Sequence, residues 1–237
     1  LIRRRERTYA GAARNAGVRA SRGRYVVMVD SDCVLSGDAV ERMVRRPEGG
    51  EYAAVGGSVG NGTPRSLSGT VGFLIEFREF MPSAPFRVEK GIPTANIIYR
   101  REVFERFGYF DEDIWPAEDI LFNWRLYEAG ERLLFDPEIR AVHLNRTGWR
   151  NVLSHQLKLG ATSALARKRG RLSGGVLLRF PALIIFMPIY RLMKAARWFF
   201  AHDRKVFLFF LAAWPLYLFA ACFWSWGFMR EALKSRR

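Results

Sequence analysis

The run VFLFFLAAWPLYLFAACFWSWGFM, residues 206–229, is the strongest constraint in the sequence because its 24 residues carry no charge. A helix of this length can cross the hydrocarbon core of a bilayer. Trp214, Trp224 and Trp226 are candidate interfacial anchors. A buried core helix is the alternative, but helices of soluble proteins rarely lack a charged face. We therefore predict a transmembrane helix over 206–229, followed by a basic tail over 230–237.

A second apolar run, GGVLLRFPALIIFMPIY at 174–190, gives a weaker signal because it contains Arg179 and two prolines. Such a run is compatible with a second span, a re-entrant segment or an interfacial helix. We predict that residues 166–205 form a basic linker that contains this interfacial or re-entrant segment.

Basic residues flank both apolar runs. They are Arg167, Lys168, Arg169 and Arg171 before the first run, Arg191, Lys194, Arg197, Arg204 and Lys205 between the runs, and Arg230, Lys234, Arg236 and Arg237 after the second. Positive residues favour the cytoplasmic side of a membrane. A two-span hairpin places the middle group outside, whereas an interfacial segment followed by one span keeps it inside. The sequence leaves both arrangements open.

Both arrangements place the large N-terminal part of the chain at the cytoplasmic face of the inner membrane. Much of the net charge of +15 is then expected to lie beside the membrane and to face anionic lipids. The sequence contains neither a Cys/His zinc spacing nor an aromatic RNA-binding signature, so no nucleic-acid partner is expected.

Residues 1–165 alternate between strand-like and helix-like patterns, which predicts an α/β fold. Helices are predicted near 9–21, 37–46, 67–81, 101–108 and 117–130, and strands at 25–29, 52–60 and 94–100 and on both sides of a turn at Asp136-Pro137. The apolar strand 25–29 is typical of a strand buried on both faces. Asp38 and Glu41 have the spacing of a helix capping box.

The strand 25–29 runs directly into Asp30-Ser31-Asp32. Side chains two residues apart on an extended chain point the same way, and two close carboxylates repel each other unless a cation lies between them. Mg²⁺ and Mn²⁺ favour such oxygen ligands. A polar turn after a strand is the alternative. The position favours a site, because open α/β sheets bind ligands at the carboxyl ends of their strands.

Three stretches carry a resemblance to a known family. They are ARNAGVRASRGRYVVMVDSD, GIPTANIIYRREVFERFGYFDED and AEDILFNWRLYEAGERLLFDPEIRAVH. In this order they resemble the motifs of inverting nucleotide-sugar glycosyltransferases of family 2, over roughly residues 9–160. The resemblance implies a GT-A fold, a Rossmann-like mixed sheet, with hydrophobic helices after it.

The resemblance implies a role for each matching residue of the donor site. Asp32 would ligate a divalent metal, Mg²⁺ or Mn²⁺, that bridges the diphosphate of a nucleotide-sugar donor. Asp30, the other member of the pair, would lie against the ribose or base. Arg14 and Asn15 would border the nucleotide pocket. His143 would lie near the metal and diphosphate, as a candidate ligand.

The same resemblance makes Asp119 the general base that deprotonates the acceptor hydroxyl. An acid at the start of a helix is otherwise more often a partner of the helix dipole or a cap. Glu118 fits a helix-start charge and an acceptor contact equally well.

Two departures from the family pattern matter. The family has a strand–helix–strand unit before the first motif that is not found here, so we expect a fragment whose sheet lacks that unit. The Q-x-x-R-W motif of processive members is also missing, and HLNRTGWRNVLSHQLKLG (143–160) stands in its place.

The sequence thus predicts a metal-dependent, inverting, non-processive transferase. It would move a sugar to a saccharide or lipid-linked acceptor at the cytoplasmic membrane face, in cell-envelope polysaccharide or glycolipid synthesis. The alternatives are a non-catalytic membrane protein that retains a decayed transferase domain, and a basic module that binds nucleic acid or lipid surfaces.

Overall fold

A computed structural model describes residues 2–3, 6, 8–170 and 172–234. Arg171, Arg236 and Arg237 of the predicted basic groups lie outside the described residues. The chain divides into two compact units. Leu1–Gly60 and Pro85–His143 form the first, called here the sheet unit. Asn61–Ala84 and Leu144–Arg237 form the second, called the helical unit. The predicted boundaries at 165 and 205 remain predictions.

The strands form one six-stranded sheet in the order β1-β5-β3-β6-β2, with β4 also paired to β6. They are β1 (Tyr25–Val29), β2 (Cys33–Leu35), β3 (Ala54–Asn61), β4 (Arg87–Glu89), β5 (Asn96–Arg100) and β6 (Leu133–His143). The helices are α1 (Ala10–Ala20), α2 (Ala39–Arg45), α3 (Leu67–Phe77), α4 (Glu102–Phe107), α5 (Glu118–Glu128), α6 (Trp149–Arg169), α7 (Val176–Arg179), α8 (Met187–His202) and α9 (Arg204–Ala232).

Helices cover both faces of the sheet, as the alternating pattern predicted. Neighbouring residues of β5 show this, because their side chains point to opposite faces. Ile98 packs in an apolar cluster with Met43 of α2. Tyr99 instead meets the rings of Phe104 and Phe122, which belong to α4 and α5. The sheet is therefore the middle layer of an α/β sandwich.

Strand β1 has the predicted bounds, but the prediction that both of its faces are buried is wrong. Val26 and Met28 are each 7% exposed, whereas Val27 and Val29 are 36% and 38% exposed. In the described part of the chain, β1 ends the strand order and pairs with β5. Only one face of this edge strand is covered, so its apolar residues alternate between buried and exposed.

Two local predictions are also wrong. Residues 133–143 form one strand through Asp136-Pro137 rather than two strands around a turn, because β6 pairs with β4 before Pro137 and with β2 after it. The Asp38 carboxylate makes no capping bond to α2. It accepts instead from Ser36 and from the guanidinium of Arg42, which outcompetes the helix amides.

The helical unit contains α3 and α6–α9. Among the described residues, α9 is the one helix long and apolar enough to cross a membrane, with a mean hydropathy of 2.2 over its most apolar window. It contains the predicted run 206–229. The weaker run 174–190 is broken into α7, a 3₁₀ segment at Pro181–Phe186 and the start of α8.

Candidate active site

The Arg14 guanidinium joins the end of β1 to the start of α5. One of its nitrogens donates to Asp30 Oδ1 at 2.6 Å, and another donates to Glu118 Oε1. The Arg14 side chain is 15% exposed, that of Glu118 4% and that of Asp30 34%. A half-exposed carboxylate and a buried one therefore share one cation, which fixes helices α1 and α5 at this edge of the sheet.

The surroundings of Arg14 and Glu118 shift the pKa values of both side chains. Burial raises the pKa of Glu118 above its ordinary value, and the nearby Asp119 carboxylate adds to this, while Arg14 opposes it. Burial acts to lower the pKa of Arg14, but the neighbouring carboxylates, Asp30 first, outweigh it and raise the pKa. Arg14 is therefore a permanent cation beside Glu118, whose charged form is disfavoured by burial.

Helix α1 is held in place by close contact with the loop before α5. The Asn15 side chain donates to Phe110 O at 2.9 Å and to Glu112 Oε1 at 2.8 Å, and it accepts from Phe110 N at 3.0 Å. Gly11 lies so close to the Asp111 carbonyl that a Cβ would overlap it. Asn15 is 1% exposed, so in this structure its amide fixes the position of Arg14 through the helix and the loop.

Asp119, the candidate base, is half-buried at the start of α5. Its Oδ2 accepts from the backbone N and the hydroxyl of Thr94 at 3.3 and 3.4 Å. Its Oδ1 accepts from Ile120 N at 2.8 Å. Ala117, just before the helix, has a φ of 131°, a strained value for a residue with a Cβ. Thr94 and this turn therefore fix the direction of the carboxylate.

Asp32, Cys33 and His143 form a second cluster in the sheet unit. Cys33 and His143 are directly paired residues of β2 and β6. His143 Nε2 lies 3.5 Å from Asp32 Oδ1, and one ligand atom from each residue lies within 4.8 Å of the others. His143 is buried, whereas the Asp32 side chain is 37% exposed. The cluster thus combines a fixed imidazole with a carboxylate open to solvent.

The chemistry of this cluster fits a divalent cation that prefers oxygen and nitrogen ligands. A carboxylate and an imidazole suit Mn²⁺, and Mg²⁺ shares the carboxylate preference. Burial, followed by the nearby Asp30 and Asp32 charges, raises the pKa of Cys33 to about 12. The thiol is therefore protonated at neutral pH, and Asp32 and His143 are the better candidate ligands.

The structure brings the predicted residues into two neighbouring groups. Arg14 and Asp30 lie with the start of α5, and Asp32 lies with His143. The two groups meet in the chain at Asp30-Ser31-Asp32, where Cys33 N donates back to Asp30 O at 2.9 Å. Sequence reasoning missed Thr94, which it placed as the first residue of the predicted strand 94–100. In the structure Thr94 is 2% exposed and lies two residues before β5.

Residues 1–108 match the family model described as "Glycosyl transferase family 2". These residues belong to glycosyltransferase family 2. The match confirms the family predicted from the motifs, and it includes Arg14, Asn15, Asp30 and Asp32. Asp119 and His143 lie beyond the matched residues, so their place in the site depends on the geometry described above.

Two curated relatives show how far the similarity to this chain extends. The pre-mycofactocin glycosyltransferase of Mycobacterium tuberculosis is 32% identical over 83 residues, which are 35% of this chain and 18% of the relative. The uncharacterized glycosyltransferase EpsJ of Bacillus subtilis is 32% identical over 132 residues, 52% of this chain and 38% of the relative. The chain thus spans well under half the length of these relatives.

A solved structure shows the same fold. The mannosyltransferase PcManGT from Pyrobaculum calidifontis, in complex with GDP-Man and Mn²⁺, has a TM-score of 0.60 and 16% sequence identity to this chain. The similarity covers 100% of this chain and 70% of that one. The GT-A fold expected for the family 2 motifs is thereby confirmed.

Proposed function

We propose that this chain is the catalytic part of a membrane-anchored, metal-dependent, inverting glycosyltransferase. One observation carries the proposal: Arg14 binds both Asp30, of the predicted donor motif, and Glu118, beside the predicted base. Two motifs more than 80 positions apart in sequence, which the resemblance assigns to the same reaction, are thus joined by one side chain. The Mn²⁺ and GDP-Man in the structurally similar mannosyltransferase support this reaction class.

We assign the site residues to two roles: some bind the donor and its diphosphate, and one activates the acceptor hydroxyl. Asp32 and His143 would hold Mn²⁺ or Mg²⁺, which when bound would neutralise charge on the departing diphosphate. Asp30 would bind the nucleoside side of the donor. Asn15 would act indirectly, by positioning the helix that carries Arg14 at the edge of the nucleotide pocket.

Asp119 would accept the proton of the acceptor hydroxyl. The acceptor oxygen then forms a bond to the anomeric carbon as the bond from that carbon to the diphosphate oxygen breaks, and the nucleoside diphosphate leaves. One displacement of this kind inverts the anomeric centre. Thr94 and Ile120 N orient the carboxylate without neutralising it, so Asp119 remains able to accept a proton.

The proposed acceptor and the proposed membrane location depend on helix α9, the predicted membrane anchor. A saccharide or lipid-linked acceptor of cell-envelope polysaccharide or glycolipid synthesis would meet the site at the cytoplasmic membrane face, and the apolar helix α9 and the flanking basic groups support this location. The missing Q-x-x-R-W pattern supports transfer of one or a few sugars rather than processive synthesis.

The decisive test is Asp119→Asn in the complete protein, assayed with Mn²⁺ and a panel of UDP- and GDP-sugars. Loss of a general base is expected to lower transfer roughly 10²–10⁴-fold, while Mn²⁺-dependent binding of UDP or GDP, measured by calorimetry, stays near the wild-type value. Asp113→Asn is the matched control, since Asp113 is an exposed acid in the loop before α5. Transfer within a few-fold of wild type would refute the base assignment. Nucleotide binding without any transfer by the wild type would favour the decayed domain.

A further inference from the structure

We propose that the helical unit inserts into one leaflet of an anionic bilayer, with α9 lying along the membrane plane instead of crossing it. This topology goes beyond the transfer reaction and does not depend on it. The observations that carry it are a charged cluster at the middle of α9, a polar helix along its side, and an exposed apolar surface bordered by cations.

The charged cluster lies at the level of Tyr217, near the centre of the uncharged run. Arg78 donates to the Tyr217 hydroxyl at 3.2 Å and binds Glu79 at 2.9 Å. Lys194 binds the same Glu79 carboxylate at 2.7 Å. If α9 crossed the membrane, Tyr217 would lie near the bilayer midplane, and these three charged side chains would lie at the same depth. Charges are least tolerated at that depth.

Helix α6 runs beside the second half of α9. Gly160 of α6 and Gly227 of α9 each lie against the backbone of the other helix with no room for a Cβ, and Lys168 donates to Glu231 O. The outer side of α6 exposes a polar stripe that includes Arg150, Ser154, Lys158 and Arg169. A spanning α9 would press into lipid the part of this stripe that lies beside its second half.

The surface that fits lipid lies elsewhere on the unit. Large apolar side chains are exposed on the 3₁₀ segment, α8 and α9. They include Ile185 (69%), Phe186 (67%), Tyr190 (58%), Leu208 (67%), Leu211 (52%) and Trp226 (56%). Soluble proteins rarely leave so many large apolar side chains exposed on one unit.

Charge complementarity identifies the occupant of this surface as an anionic lipid leaflet. Arg197, Arg204, Lys205 and Arg230 are exposed on α8 and α9, and Arg179 is exposed at the end of α7, just before the 3₁₀ segment. An in-plane unit with apolar and cationic side chains is the pattern of interfacial helices. It also resolves the conflict among the three basic groups, since an in-plane α9 keeps all of them on the cytoplasmic side, whereas each spanning arrangement leaves one outside.

The experiment uses single cysteines in the complete protein, on a background that lacks the native ones (Cys33→Ser and Cys222→Ser in this part of the chain). Cysteines replace Glu48, Arg169, Lys205 and Lys234, all four of which are exposed. Each single-cysteine variant is labelled with a membrane-impermeant maleimide in spheroplasts and in sealed inverted vesicles. Labelling after detergent confirms that each thiol can react.

In-plane insertion predicts that positions 48, 169, 205 and 234 all react from the cytoplasmic side. A hairpin of two spans places 205 on the opposite side, and a single span places 234 there. Either result would overturn the proposal, as would recovery of the protein in the soluble fraction.

A second measurement tests the surface itself. Phe186→Asp is expected to weaken flotation with phosphatidylglycerol vesicles roughly tenfold or more, because it puts a charge on the inserting face. Ser154→Asp adds the same charge to the polar stripe of α6 and is expected to leave flotation nearly unchanged. Equal effects of the two variants would refute the assignment of the lipid-facing surface, and unchanged flotation of both would point to a protein partner there instead.

Discussion

Replacing Arg14 with Met removes the cation shared by Asp30 and Glu118 and leaves a methylene chain of similar length. Most of the lost stability is expected to come from Glu118, because its side chain is 4% exposed and its charge would be buried without a cation. Breaking a buried ion pair from one side typically costs about 3–5 kcal/mol. The lower end applies because Glu118 still accepts from Ala117 N at 3.0 Å and Asp30 is 34% exposed. We expect a loss of about 3 kcal/mol, or roughly 6–12 °C in Tm for a chain of this size.

The loss should depend on pH, with a sign set by Glu118. Its pKa is already raised by burial and by Asp119, and Arg14 limits that rise. Removal of Arg14 raises it further. A carboxyl whose pKa is higher in the folded state binds more protons there, so its contribution to stability falls as pH rises from the ordinary carboxyl range through the raised value. The penalty of Arg14→Met is therefore expected to be smaller at pH 5 than at pH 8.

The assay is thermal unfolding in detergent at pH 5 and pH 8, followed by circular dichroism. Arg14→Met with Glu118→Gln should recover about 2 kcal/mol relative to Arg14→Met alone, because the buried charge is gone. Arg19→Met, in the same helix, is the matched control, since its pair with Glu112 is exposed and long at 3.6 Å and is worth about 0–1 kcal/mol. An Arg14→Met loss that is equal at both pH values and not recovered by the second change would refute the reasoning.

Three further outcomes are expected. Asp32→Asn and His143→Gln should each weaken Mn²⁺ binding at least about tenfold, measured by the paramagnetic resonance of free Mn²⁺, because each removes a candidate ligand; unchanged affinity in both would exclude this cluster as the metal site. Gly57→Ala should cost about 3 kcal/mol in thermal unfolding, since its Cβ would overlap the Ile139 carbonyl oxygen. Gly17→Ala, with open space at its Cβ, should instead gain about 0.5–1 kcal/mol of stability.

The parts of the site that could be predicted are those with local signals. The strand 25–29, the two carboxylates after it and the helix beginning at Glu118 all follow from short-range patterns. The partners could not be predicted in this way. Arg14 and Glu118 lie 104 residues apart, and their contact depends on how α1 packs against the loop that Asn15 binds. The approach of His143 to Asp32 depends on the register of β2 on β6.

The errors in the fold have a similar cause. An apolar run indicates that a strand is buried, but the number of covered faces depends on its place in the strand order, and β1 lies at an edge. A Pro between two apolar runs usually indicates a turn. In β6 it falls where the strand changes partners, a position where the missing N–H interrupts neither of the described pairings. Both outcomes are set by neighbours that are distant in sequence.

The same limit applies to hydropathy, which is calculated for one segment at a time. The eleven Val, Leu and Phe residues of 206–229 would favour insertion across a bilayer by roughly 3–7 kcal/mol. Arg78, Glu79 and Lys194 at the level of Tyr217 would oppose it by roughly 8–10 kcal/mol if they lay at the midplane. Pairing with Glu79 lowers that cost but leaves the cluster with a net positive charge. This comparison supports the proposal that α9 keeps its apolar face in lipid and its charged face in water.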